Sequence, residues 1–211
     1  MIPLLRGRGH AIVAPDLPCD DDSAGLKEYT DVVVNAIGYF TDLIVVAQSM
    51  GGFTAPLVCE RVGAELMVLV AAMIPRPGES GDEWWVNTGY KDAVHHEQPF
   101  DVKQVFFHDV PPDVTAEAFR RGEKEQSNTP FEKPWPLKQW PDVPTRFLLC
   151  RQDRFFPAEF QRRVVQERLG ITPDEMDSGH LPALSHPQEL VERLEAYRLQ
   201  RDLNPGRQDP I

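Results

Sequence analysis

The sequence predicts an α/β domain in which a mostly parallel sheet is covered by helices on both faces. Three observations carry this expectation. Residues 43–47 and 66–73 are continuous apolar runs, and 145–150 is a third, mostly apolar one. None shows the in–out alternation of a half-exposed strand, as suits strands buried on both sides. Stretches with helical spacing separate the runs, which is the rhythm of strand–helix–strand crossovers. The run at 43–47 also passes straight into a helix through Gln48-Ser49-Met50, a strand-to-helix turn of the kind that exposes a side chain at the sheet edge.

Composition bounds the reading. With 211 residues the chain can bury one substantial core, and a single domain is expected. A content of 41% hydrophobic and 26% charged residues is ordinary for a soluble globular protein. The net charge of −11 repels phosphate backbones, so no nucleic-acid partner is expected. Cys19, Cys59 and Cys150 are scattered, which argues against a disulfide framework or a zinc knuckle and for a reducing, cytoplasmic location. The first residues lack the apolar core and cleavage site of a signal peptide. No stretch approaches the roughly 18 apolar residues that span a bilayer, so no membrane partner is expected.

In chain order, residues 10–14 read as a buried strand stopped by Pro15, followed by a polar loop at 16–23. Residues 27–40 have helical spacing, with Tyr29, Val33, Ile37 and Phe40 on one face. The strand at 43–47 follows, read as central, then a helix over 51–62 ended by Gly63, then the strand at 66–73. From 75 to 143 the character changes. All four tryptophans fall here with many prolines and helical pieces such as 115–124, but no clear core strand. So long an excursion is more than a plain connection, and it reads as a cap or lid. Trp84, Trp85, Phe106, Phe107 and Trp135 are candidates for an apolar pocket wall, or equally for packing within the cap. The sheet pattern resumes at 145–150, with an amphipathic helix at 157–169, a short strand at 172–177 and a last helix at 187–199 carrying Leu190, Leu194 and Tyr197 on one side. The expected division is a core of 1–74 and 144–200, a cap of 75–143 and a flexible polar tail of 201–211.

The sharpest chemical signal is Ala47-Gln48-Ser49-Met50-Gly51-Gly52. On such a turn the strand and helix lie so close that the residues two before and two after the serine must be small, and here they are Ala47 and Gly51. The Met50 N–H would point at a developing oxyanion, aided by the helix N-terminus. The competing reading of the string alone is a turn serine that caps a helix.

A serine hydroxyl needs a base to take its proton. Asp153, just after the strand at 145–150, and His180, just after the one at 172–177, lie beyond the C-terminal ends of parallel strands. Asp153 would accept from the imidazole and fix its tautomer. Each has a plainer reading: Asp153 as a helix cap or a partner of Arg151 or Arg154, His180 as a loop histidine. Asp177 is the runner-up acid but is very local to His180. His10 begins a strand, His186 a helix, and His95, His96 and His108 fall in the excursion. The His95-His96 pair lacks a third metal ligand at helical spacing.

Together, Gly9-His10, Ala14-Pro15-Asp16-Leu17-Pro18, Ala47-Gln48-Ser49-Met50-Gly51-Gly52, Asp153 and the run from Ser178-Gly179-His180 to Leu190 resemble the α/β-hydrolase superfamily. They look most like its small esterase branch of plant methylesterases, hydroxynitrile lyases and bacterial relatives. The resemblance implies a three-layer fold, a cap insertion, a Ser49–Asp153–His180 triad with Met50 as oxyanion donor, hydrolysis of a small-molecule ester or related acyl substrate, and no metal or organic cofactor. Lyases of that branch carry lysine after the histidine; Leu181 stands there, so cyanohydrin cleavage is not expected. Serine at the turn likewise argues against dehalogenase and epoxide-hydrolase chemistry. The family opens with an apolar strand and a His-Gly loop that gives a second oxyanion N–H. This chain begins within the following helix, so that first strand is expected to be missing. The rival expectation is a hydrolase-like ligand-binding protein or an inactive truncated remnant.

Overall fold

A computed structural model describes residues 1–95, 99–122 and 124–203. The elements are α1 (Ile2–Gly7), α2 (Leu26–Ile37), β1 (Ile44–Gln48), α3 (Gly51–Val62), β2 (Leu66–Val70), five short helices, then β3 (Thr145–Cys150), α9 (Ala158–Leu169), β4 (Asp174–Met176), α10 (Pro182–Ser185) and α11 (Pro187–Leu203). The short helices are α4 (Gly81–Asn87), α5 (Tyr90–Ala93), α6 (Val102–Phe106), α7 (Pro112–Arg120) and α8 (Thr129–Glu132).

The strands form one sheet in the order β1-β2-β3-β4, parallel throughout, with Val46 opposite Val68 and Leu69 opposite Phe147. Alternate residues go to opposite faces. Met67, Leu69, Phe147 and Leu149 pack with Phe53 and Leu57 of α3 and Phe160 and Val164 of α9. Leu66, Val68, Val70, Leu148 and Met176 pack with Leu190, Leu194 and Tyr197 of α11. The three layers read from the sequence are thus present. Because β2 is covered on both faces and both edges, all five of its residues are buried, which is why it shows no alternation.

The outer parts of the sheet depart from expectation. Residues 10–14 form no strand: no backbone ladder engages them, and His10 instead pairs through Nε2 with Glu195 of α11. Ile12 and Val13 carry β-propensity, but a strand exists only where a partner satisfies its backbone. For the same reason β1 is an edge strand, not a central one, and Val46 is 40% exposed. Helix α2 stops at Ile37, with Gly38 at its C-cap, so Phe40 is exposed and leaves the helical face it was expected to share with Tyr29 and Ile37. α7 starts earlier than expected, at Pro112, because Pro sets φ at a helix start, and it ends at Arg120. α11 continues to Leu203, so residues 201–203 are helical; the rest of the expected tail, 204–211, lies outside the described residues. Among the described residues, no helix is long and apolar enough to cross a membrane.

Candidate active site

The site begins at the turn between β1 and α3. Ser49 adopts φ +52°, a left-handed conformation that costs a non-glycine residue of order 1–3 kcal/mol and is held only where surroundings over-determine it. Here they do so from both sides of the peptide: Ser49 N–H donates to Val70 O at 3.3 Å, and Met73 N–H donates to Ser49 O at 2.9 Å. The small-residue requirement is visible in the packing. A Cβ on Gly51 would lie 3.3 Å from Ala47 Cβ, and one on Gly52 would lie 1.8 Å from Met73 O. Gly52 N–H is taken by Ser49 O at 3.1 Å. Met50, at the N-cap, presents a first-turn N–H that no intrahelical carbonyl reaches.

Asp153 and His180 are brought together by two loops that extend the pairing of β3 and β4. Arg151 N–H donates to Met176 O at 2.9 Å and Gln152 N–H to Ser178 O at 3.0 Å. His180 Nδ1 lies 2.7 Å from Asp153 Oδ2, with the two residues only 3% and 4% exposed. The other carboxylate oxygen accepts from Phe155 N–H at 2.8 Å and Phe156 N–H at 2.9 Å. Asp153 is thus neither the cap of α9, whose N-cap is Pro157, nor a partner of Arg151 or Arg154: one oxygen shapes its own loop and the other meets the imidazole. With Nδ1–H donating to the carboxylate, Nε2 carries the lone pair a base needs. Arg151 pairs instead with Asp177, which removes the runner-up acid, and Arg154 donates to Gln104 O at 2.9 Å.

The imidazole is boxed by rings: Phe106, Phe155 and Phe156 have centroids 5.1, 5.5 and 5.5 Å from it. The histidine loop is tied to the serine turn by Gln48, whose side-chain amide donates to His180 O. Among the described residues, no hydrogen bond joins the Ser49 hydroxyl to the imidazole; such bonds are often long before substrate binds. Burial pushes the Cys59 and Cys150 thiols up to about 12, which disfavours a thiolate at either residue.

Of the aromatic residues between β2 and β3, Phe106 reaches the imidazole, whereas Trp84 and Trp135 are core. Each is 1% exposed, and their indole N–H groups donate to Ile74 O at 3.0 Å and Phe53 O at 2.9 Å. Two open concavities, of about 910 and 430 Å³, share Lys103, Gln104, Phe119 and Arg154 in their walls; neither is lined by Ser49, Asp153 or His180. No grouping of three metal-ligating side chains occurs among the described residues, and His96, half of the histidine pair noted in the sequence, lies outside them. Gln48 and the pair His108-Asp109, whose contacts fall on the loops of both candidate residues, carried no motif that sequence reasoning could have used.

Comparison with known proteins agrees with this architecture. A family model described as the alpha/beta hydrolase family matches residues 1–193. Norfluorocurarine synthase 1 from Strychnos sp is 23% identical over 234 aligned positions, covering 92% of this chain and 86% of that protein. A pyrethroid hydrolase from Sphingobium faniae superposes with a TM-score of 0.76 at 20% identity, covering 96% of this chain and 92% of the other. Polyneuridine aldehyde esterase superposes with a TM-score of 0.75 at 18% identity, covering 92% and 91%.

Proposed function

This chain belongs to the α/β hydrolase family, and on that premise we propose that it is a serine hydrolase of a small ester or related acyl substrate, working through an acyl intermediate on Ser49. The observation that carries the reading is a buried His180–Asp153 pair, at 2.7 Å, beyond the same sheet edge as a serine held at φ +52°. Nucleophile, orienting acid and base follow the C-terminal ends of β1, β3 and β4, where parallel strands deliver side chains to one rim.

In this mechanism His180 Nε2 takes the Ser49 proton as the hydroxyl attacks the acyl carbon. The tetrahedral oxyanion is met by the Met50 N–H at the start of α3, where the helix dipole adds positive potential. His180 then returns the proton to the leaving alcohol, and water repeats the sequence to free the acid. Asp153 keeps the imidazole in one tautomer and stabilises its charged form. The ring box of Phe106, Phe155 and Phe156 keeps water from the pair, so its electrostatics act in a low-dielectric setting. Residues 75–143 act as the cap in this reading, and the location is cytoplasmic. An ester substrate is consistent with a structural neighbour named an esterase.

A second reading, a ligand-binding protein without turnover, is favoured by the two open concavities, whose walls include none of Ser49, Asp153 and His180. A fluorophosphonate probe separates the two. The proposal expects stoichiometric labelling that Ser49→Ala abolishes and His180→Ala strongly slows; a folded chain that stays unlabelled, or labels equally as Ser49→Ala, refutes it.

A further inference from the structure

Two consecutive side chains between α6 and α7 grip the backbone next to both the candidate acid and the candidate base. His108 Nε2–H donates to Gln152 O at 3.0 Å, one residue before Asp153. Gly179 N–H donates to Asp109 Oδ2 at 2.6 Å, one residue before His180. Gln152 N–H in turn donates to Ser178 O at 3.0 Å, so the two loops and the two gripping side chains form one closed set of hydrogen bonds. The approach is close: a Cβ at residue 179 would lie 2.4 Å from Asp109 Oδ1 and 2.7 Å from His108 Nε2, so any other residue there would displace the gripping side chains.

Asp109 is an expensive residue to place there. Its side chain is 10% exposed, His186 Nδ1 stands 3.5 Å from Oδ2, and Oδ1 is buried without a hydrogen-bond partner. A half-satisfied buried carboxylate costs stability, so attachment of this segment to the core is a poor account of it. What the carboxylate does achieve is to fix the Ser178–Gly179 peptide, just before His180, while the Gln48 amide holds the His180 carbonyl.

We infer that Asp109, assisted by His108, is a positioning residue for acyl transfer: it acts through Gly179 and Gln152 to hold the imidazole in register with Asp153 and Ser49. This rests on the reading of those three residues as the reacting groups. Misplacing a reacting group by about 1 Å can cost on the order of 100-fold in rate, so small loop shifts have large kinetic consequences.

The test compares Asp109→Ala and Asp109→Asn with the wild type on p-nitrophenyl acetate. Asp109→Ala is expected to lower kcat by about 10- to 100-fold with little change in KM, the pattern of a lost transition-state arrangement. Asp109→Asn keeps an acceptor for the Gly179 N–H and is expected to recover most of kcat. A loss confined to KM or to melting temperature, with kcat unchanged, overturns the inference. Should Asp109→Ala fail to fold, His108→Ala carries the test at Gln152 O: a several-fold loss of kcat supports the clasp, and an unchanged kcat overturns it. Amide hydrogen exchange separates this inference from the esterase reading. If the wild type neither labels nor turns over ester, faster exchange at residues 178–180 in Asp109→Ala or His108→Ala still supports the clasp, whereas wild-type protection in both overturns it.

Discussion

Replacing Arg168 by methionine removes the cation from a deeply buried arginine–carboxylate pair. The side chains of Arg168 and Glu79 are 2% and 3% exposed. Arg168 donates to both Glu79 oxygens and, at 3.1 Å, to Ile74 O, just beyond the Met73 peptide that holds the serine turn. Methionine fills much of the same volume, so the chief effect is electrostatic. Glu79 keeps the Arg76 N–H at 3.0 Å and the Asn87 amide at 2.9 Å, and Ile74 O keeps the Trp84 indole. Breaking a buried pair by removing one partner costs about 3–5 kcal/mol, and the surviving bonds place this case near the lower end. At about 2–4 °C per kcal/mol for a chain of this size, the melting temperature should fall by roughly 6–12 °C.

The pH dependence fixes the sign independently. Burial raises the Glu79 carboxyl, but the hydrogen bonds from Arg168, Asn87 and the Arg76 N–H bring it net below its ordinary 4.5. A carboxyl depressed in the folded state stabilises above its unfolded value, and the contribution is lost as pH falls through the folded one. Without Arg168 burial dominates, the folded carboxyl rises, and protonation relieves the unpaired charge. The deficit of Arg168→Met should therefore be greatest near neutral pH and shrink toward pH about 4. Urea denaturation followed by circular dichroism at both pH values reads this directly. A deficit under about 1 kcal/mol at neutral pH, or one that grows on acidification, would refute the reasoning.

Two further outcomes follow from the site. Gly52→Ala drives a Cβ to 1.8 Å from Met73 O, so the destabilisation should reach at least the upper end of overpacking, about 3 kcal/mol, seen as loss of soluble folded protein or a strongly lowered melting temperature; a wild-type melting curve would contradict it. Asp153→Asn preserves an acceptor for the Phe155 and Phe156 N–H groups but no longer fixes the imidazole tautomer. Its kcat on p-nitrophenyl acetate should fall by about 10⁴-fold with only a small change in melting temperature, and a loss of less than about tenfold would remove Asp153 from the mechanism.

Much of the architecture was legible because local pattern and tertiary demand coincide there. The unbroken apolar run at Leu66–Val70 reflects a strand buried on every side, and Gly63 ends α3 as expected, in a left-handed conformation. Ala47, Ser49 and Gly51 announced the strained turn because close strand–helix approach dictates their size. Other features depend on partners that no local pattern names. Ile12 and Val13 look like a strand until one asks what would pair with them, and Leu43–Ala47 looks central although β1 lies at the edge. Residue type left Trp84 and Trp135 open between pocket wall and packing, and their indole N–H groups, which find core carbonyls, decide for packing. Glu79 and Arg168 are distant in sequence, as are Asp109 and Gly179, so neither pairing leaves a spacing to read.

The most direct test is to mix the wild-type chain with p-nitrophenyl acetate, quench in acid on the time scale of the first turnover, and map the acetylated peptide by mass spectrometry. The account predicts a transient acetyl group on Ser49, formed together with a burst of nitrophenolate and scarcely formed in His180→Ala. Nitrophenolate release with the acetyl group on another side chain, or sustained turnover with Ser49 never acylated even when deacylation is slowed, would contradict it.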